Sequence, residues 1–181
     1  TLPLSLRLIR EIHAHLMRGV RGEQQTPGEF RRSQNWIGPP GCTLNSAAFI
    51  PPPVAEMHEA LDAFERFLYT PTDLPPLVRL GLIHHQFEVI HPFLDGNGRI
   101  GRLLITLLLC AWNLLPAPLL YLSAFFEAHR QDYYDLLLAV SQRGVWEEWL
   151  AFFLRGVTAQ ARDAVARAGR LQEIREEYRA Q

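Results

Sequence analysis

The stretch from Leu103 to Trp112 carries no charged residue, and this constrains the chain more than any other feature. It lies within Arg99 to Leu115, which reads as one helix apolar on most faces. Such a helix must run through the centre of a fold. It does not read as a membrane span, because spanning takes about 20 apolar residues and Pro116 and Pro118 break the run. The 181 residues suit a single domain with a substantial core, and 48% apolar with 20% charged residues excludes wholesale disorder.

The rest of the chain is punctuated into further helices. Leu4, Leu8, Ile12, Leu16 and Val20 recur every four residues and mark one helix face, closed by Gly19 and Gly22. His13 and His15, two apart on that helix, point in different directions and read as surface or cap residues. Val54 to Leu68 and Leu77 to Ile90 are helical by period, the second started by Pro76 and stopped by Pro92. Asp132 to Val140 and Val145 to Val157 follow. The Ala/Arg/Glu-rich tail from Thr158 to Gln181 reads as an exposed helix. Between Gly22 and Pro53 helical period is lost. Two short apolar pieces, Asn35-Trp36-Ile37 and Ala48-Phe49-Ile50, flank a Gly/Pro-rich connector there and predict a small hairpin or flap. Pro51-Pro52-Pro53 then acts as a strut into the next helix. The expected class is all-α with one small β-hairpin.

Composition narrows the chemistry. All 18 basic residues are arginine and the formal net charge is −1, so there is no lysine nucleophile, no Schiff-base lysine and no global field for nucleic acid. Any phosphate grip must use arginine or backbone N–H groups. Cys42 and Cys110 do not make a disulfide framework, and a reducing, cytoplasmic setting is expected. Cys110 reads as inert core, and His84 and His85 as packing or hydrogen-bonding residues.

One segment gathers the pieces of a reaction centre: His91-Pro92-Phe93-Leu94-Asp95-Gly96-Asn97-Gly98-Arg99-Ile100-Gly101-Arg102. Gly96 and Gly98 permit close backbone approach just before a helix N-terminus, whose N–H groups and dipole make an anion seat. Asn97 can cap that helix or offer its amide to the same anion. Arg99 and Arg102, three apart, share a face of the first turn, where two cations oppose the dipole unless a polyphosphate sits there. Asp95 is the single local carboxylate, and Mg²⁺ is typically held by one or two carboxylates plus phosphates. His91 can accept a proton at neutral pH from an incoming hydroxyl.

This segment resembles the signature of the Fic (filamentation induced by cAMP) family, His-Pro-Phe-x-[Asp/Glu]-Gly-Asn-Gly-Arg-x-x-Arg, with every fixed position filled. The resemblance implies a Fic fold over residues 4–157: a helical bundle around a central helix pair, with a flap at about 35–53 and the signature at 91–102. It implies that residues 158–181 lead to a further module, through which alone nucleic acid would be met, and that the chain is similar to widespread bacterial members. It implies protein adenylyltransferase activity, with AMP moved from ATP to a hydroxyl of a target protein or of the chain itself. His91 would be the base and Asp95 the Mg²⁺ ligand. Gly96, Asn97, Gly98, Arg99, Ile100, Gly101 and Arg102 would hold the nucleotide, and Tyr133 would line the adenine pocket. Ala48, Phe49 and Ile50 would dock the target by strand addition. Doc-type members carry lysine where this chain has Gly98, and its absence favours AMP transfer over γ-phosphate transfer.

The resemblance also implies an inhibitory helix of pattern Ser/Thr-x-x-x-Glu-Gly/Asn, yet no glutamate here is followed by glycine or asparagine. The expectation is that it lies upstream or comes from a partner. The same residues also fit a nucleotide-binding regulatory module without catalysis, the same scaffold with another nucleotide donor, and the reverse, de-AMPylating reaction.

Overall fold

The computed structural model describes residues 4–20 and 22–179. Seven α-helices form among them: α1 (Leu6–Leu16), α2 (Val54–Tyr69), α3 (Pro76–Ile90), α4 (Asn97–Ala111), α5 (Leu122–Ala128), α6 (Arg130–Arg143) and α7 (Trp146–Arg179). The all-α expectation holds. The chain divides into two compact units between Ile105 and Thr106, inside α4.

In the first unit, α2 and α3 pack on each other. Met57, Leu61, Phe64 and Leu68 of α2 are buried, as are Leu80, Ile83, Phe87 and Ile90 of α3. Pro53 stands at the N-cap of α2, so the proline strut leads directly into that helix. Ser5 caps α1, its Oγ accepting from the Leu8 N–H at 3.2 Å. The buried stripe of α1 is Ile9, His13 and Met17, one position beyond the predicted line, while Leu8, Ile12 and Leu16 are half-buried. The four-residue period was right, but the face is set by what α1 covers.

The flap is less regular than a hairpin. Ile37 and Phe49 form one isolated antiparallel bridge, with the Ile37 N–H donating to the Phe49 carbonyl (2.9 Å) and the Phe49 N–H donating back (3.1 Å). Pro39 and Pro40 offer no N–H, and Pro51 follows closely on the other side, so the ladder cannot lengthen. A 3-10 turn, Leu44–Ser46, fills the connection.

The second unit is held by aromatic packing. Phe126, Trp149, Phe152 and Phe153 are buried, and Phe126 and Phe152 stack at 6.1 Å. Gly156 lets α7 approach α5: a Cβ there would lie 2.6 Å from the Phe125 ring. The expected last helix and the expected tail are one continuous α7, whose distal part exposes Val165, Leu171 and Tyr178. Helix α5 is only 7 residues long, two turns, too short for a hydrophobic period to mark it in the sequence. No helix among the described residues is long and apolar enough to cross a membrane.

Candidate active site

The signature segment forms a tight loop between α3 and α4. Asn97, 2% exposed, holds it closed: its Oδ1 accepts from the Phe93 N–H (2.8 Å) and its Nδ2 donates to the Phe93 carbonyl (2.7 Å). The Asn97 side chain is therefore spent on the loop rather than reaching outward. The backbone N–H groups of Asn97 and Gly98 head α4 with no acceptor among the described residues, as the first turn of a helix requires. Gly96 turns the chain into that helix at φ +85°, and a Cβ there would meet Met17 Sδ at 2.8 Å.

His91 ends α3 in the left-handed region, at φ +48°. Its Nδ1 lies 3.1 Å from the Glu88 carbonyl. A carbonyl only accepts, so Nδ1 carries the proton and Nε2 the lone pair. Burial pushes the imidazole down to about 4, with the nearby Arg31 charge acting the same way. The ring is thus neutral at physiological pH, in the state a general base requires.

Asp95 and Arg99 stand at the mouth, both about 30% exposed, with Arg99 Nη2 3.4 Å from Asp95 Oδ1. The same Oδ1 accepts from the Gly96 N–H at 2.6 Å. Arg102 folds back toward the mouth: a Cβ on Gly98 would come 3.0 Å from its Nη1. No carboxylate within ion-pair distance holds it among the described residues. Ile100 and Gly101 face inward. Ile100 is fully buried, and Gly101 lies against α3, where a Cβ would meet Glu88 Oε1 at 2.2 Å.

Three residues outside the signature stand against this loop. Arg31, 1% exposed, donates from Nε to the His91 carbonyl (3.0 Å), from Nη1 to that of Ser33 (3.3 Å) and from Nη2 to that of Pro52. It ties the flap to the His91 turn, with no carboxylate partner among the described residues. His13, expected at the surface, is fully buried and stacks on Phe93 at 3.8 Å. Glu88 is half-buried behind α4 with its Oε1 buried and unpartnered, and this desolvation raises its carboxyl to about 7.

A family model described as Fic/DOC family matches residues 3–109. The chain belongs to the Fic/DOC family. Among curated relatives, the protein adenylyltransferase Fic of Drosophila erecta is 34% identical over 108 residues, which are 59% of this chain and 20% of that protein. The protein of the same name from Aedes aegypti is 30% identical over 141 residues, 77% of this chain and 25% of that one. This Fic chain therefore spans a fifth to a quarter of the length of the curated relatives it matches. A Fic family protein from Desulfovibrio desulfuricans superposes with a TM-score of 0.76 at 28% identity, covering 90% of this chain and 47% of that one. Fic-1 from C. elegans shares the fold at TM-score 0.66 and 21% identity, covering 92% and 44%.

The other expected site residues fall outside the signature loop. Ala48 and Ile50 are exposed and Phe49 half-buried. Both backbone polar groups of Phe49 bond to Ile37, and among the described residues the Ala48 carbonyl and the Ile50 N–H have no backbone partner. Tyr133 belongs to the second unit, where it is 3% exposed and stacked on Phe126 at 4.6 Å. Among the described residues no three His, Cys, Asp or Glu side chains gather into a metal cluster. Asp95 alone suits a hard cation that arrives with phosphate oxygens to complete its shell.

Proposed function

We propose that this chain transfers AMP from ATP to a hydroxyl side chain of a protein. The observation that carries the reading is His91: a neutral imidazole, its tautomer set by the Glu88 carbonyl, in the turn that opens onto the anion-seating end of α4. The hydroxyl oxygen attacks the α-phosphorus and the bond from that phosphorus to the β-bridging oxygen breaks. The hydroxyl proton passes to His91 Nε2, and pyrophosphate leaves.

The backbone N–H groups of Asn97 and Gly98 meet phosphate oxygens at the helix N-terminus. Arg99 and Arg102 neutralise the β- and γ-phosphates. Asp95 would hold Mg²⁺, which when bound shields the phosphate charge and orients the leaving group. The open edge of the flap at Ala48 and Ile50 supports strand addition by a target segment.

The test uses ATP labelled in turn at the α- and γ-phosphates, with a cell lysate as source of targets. Label transfer to protein from the α-position only, lost in His91→Ala, is the expected result. Transfer from the γ-position would replace this reading with phosphorylation. ATP binding without transfer would reduce the chain to a nucleotide-binding module.

A further inference from the structure

Helix α1 and the turn after it close over the catalytic loop from a side that the signature does not encode. Three contacts converge on Asp95 and Gly96. His13 Nε2 lies 2.9 Å from the Asp95 carbonyl. Met17 packs on Gly96, where a Cβ would find its Sδ at 2.8 Å. Gly22, at φ +90°, passes so close to the Asp95 carboxylate that a Cβ would sit 2.2 Å from Oδ2.

The chemistry of His13 is fully determined. The Gly28 N–H donates to its Nδ1 at 2.9 Å, so Nδ1 carries the lone pair. Nε2 must then carry the proton and donate to the Asp95 carbonyl. The ring plane is fixed as well, since it lies 2° from parallel to Phe93. One neutral imidazole thus ties three separate pieces of chain together: α1, the turn at Gly28 and the loop at Asp95.

We infer that His13 is a positioning residue that sets the direction in which Asp95 presents its carboxylate at the mouth of α4. This rests on the reading of Asp95 as the group that meets metal-bound triphosphate. Asp95 precedes the left-handed Gly96 and the first turn of α4, and among the described residues no helical hydrogen bond fixes its backbone. His13 supplies the missing constraint, and the Gly22 turn restricts the carboxylate from above.

Two variants separate the two ends of the imidazole. His13→Gln can place an amide N–H where Nε2–H was and keep the bond to Asp95, but it leaves Gly28 unpaired. His13→Asn can place its oxygen where Nδ1 was and keep Gly28, but it cannot reach Asp95. Gly22→Ala crowds the Asp95 carboxylate and Met17 Cε at a turn with φ +90°, with no His13 atom among the three nearest to the new Cβ. ATP binding is measured by calorimetry across a Mg²⁺ titration, with circular dichroism confirming that each variant is folded. His13→Asn and Gly22→Ala are expected to raise the Mg²⁺ concentration for half-maximal ATP binding about 10-fold, as loss of a ligand-orienting partner does. His13→Gln should stay near wild type.

Hydrogen exchange of the peptide spanning 94–98 supplies a readout that needs no nucleotide, and it should rise in His13→Asn but not in His13→Gln. Equal Mg²⁺ dependence in His13→Asn and wild type overturns the inference. So does equal damage in His13→Gln and His13→Asn, or unchanged exchange in His13→Asn. If the wild-type chain binds no ATP at any Mg²⁺ concentration, the reading of the site itself fails. The exchange data then decide only whether His13 holds the loop.

Discussion

Replacing Glu88 by glutamine should stabilise this protein at and above neutral pH, although it removes a buried charge one turn before His91. The carboxyl is buried behind α4, with Oε1 unpartnered against Gly101. Burial raises its pKa from 4.5 to about 7, and the Arg102 charge offsets only part of that rise. At 1.36 kcal/mol for each tenfold change in proton affinity, the difference is about 3 kcal/mol. Glutamine keeps the shape and leaves the same oxygen unpartnered, so the charge is the main quantity removed.

The direction follows from proton counting. Between pH 4.5 and 7 the folded protein binds more protons at Glu88 than the unfolded chain does, so this residue subtracts stability as pH rises through that window. Below 4.5 the carboxyl is protonated in both states and costs nothing. Buried His84, lowered to about 3, and His91, lowered to about 4, act oppositely: each adds stability as pH climbs toward 6.5. Both are present in wild type and variant, and they drop out of the difference. Urea unfolding followed by circular dichroism at pH 4, 5, 6, 7 and 8 should show Glu88→Gln gaining on wild type, from a baseline at pH 4 to about 3 kcal/mol more at pH 8. A difference that stays flat with pH would falsify the reasoning, because the carboxyl would then be solvated or paired in the folded state.

Asn97→Ala should cost about 2–4 kcal/mol in the same assay, because it removes two short hydrogen bonds and strands the buried Phe93 N–H. The pH profile of kcat/KM for AMP transfer should be flat from pH 6 to 8, with its acid limb nearer 4 than 6.5, since His91 is held near 4. Arg31→Met should move that limb upward by removing the neighbouring positive charge. Gly156→Ala should lower stability by about 1–3 kcal/mol, because the added methyl collides with the Phe125 ring; an unchanged melting temperature would mean that α5 and α7 have room to separate.

The helices were legible in the sequence wherever proline and glycine bracket them. Val54 to Leu68 was expected and α2 runs Val54–Tyr69; Leu77 to Ile90 was expected and α3 runs Pro76–Ile90. Proline states its position in the sequence because its constraint is local. The flap was only half legible. Its two apolar pieces do meet, at Ile37 and Phe49, but the prolines that mark the turn also deny it donors. The candidate site was legible as a motif because its parts lie within twelve consecutive residues. The groups behind it were not. His13 reaches Asp95 across 82 positions, and Arg31 reaches His91 across 60. No periodicity encodes such a pairing, and a histidine on a helix or an arginine in a loop has solvent as its default reading.

Arg31 shows why that default fails here. Among the described residues its guanidinium meets only carbonyls, so it loses hydration and gains no counter-charge, and as a stabilising element it is weak. Its position accounts for it better. It holds the carbonyl of His91, a residue in a strained left-handed turn, and so fixes the backbone from which the imidazole projects. Its charge adds to burial in keeping that imidazole unprotonated. Its third contact, to Pro52, carries the restraint to the base of the flap. A lysine could not span all three carbonyls with one planar head, because the guanidinium fork is what matches their spread. Arg31→Lys should therefore fold yet transfer AMP more slowly, and its acid limb should stay low, because the charge is kept while the geometry is lost. Measured beside Arg31→Met, that pair separates the electrostatic part of the residue from its positional part. Identical acid limbs in the two variants would assign the depression of the His91 pKa to burial alone.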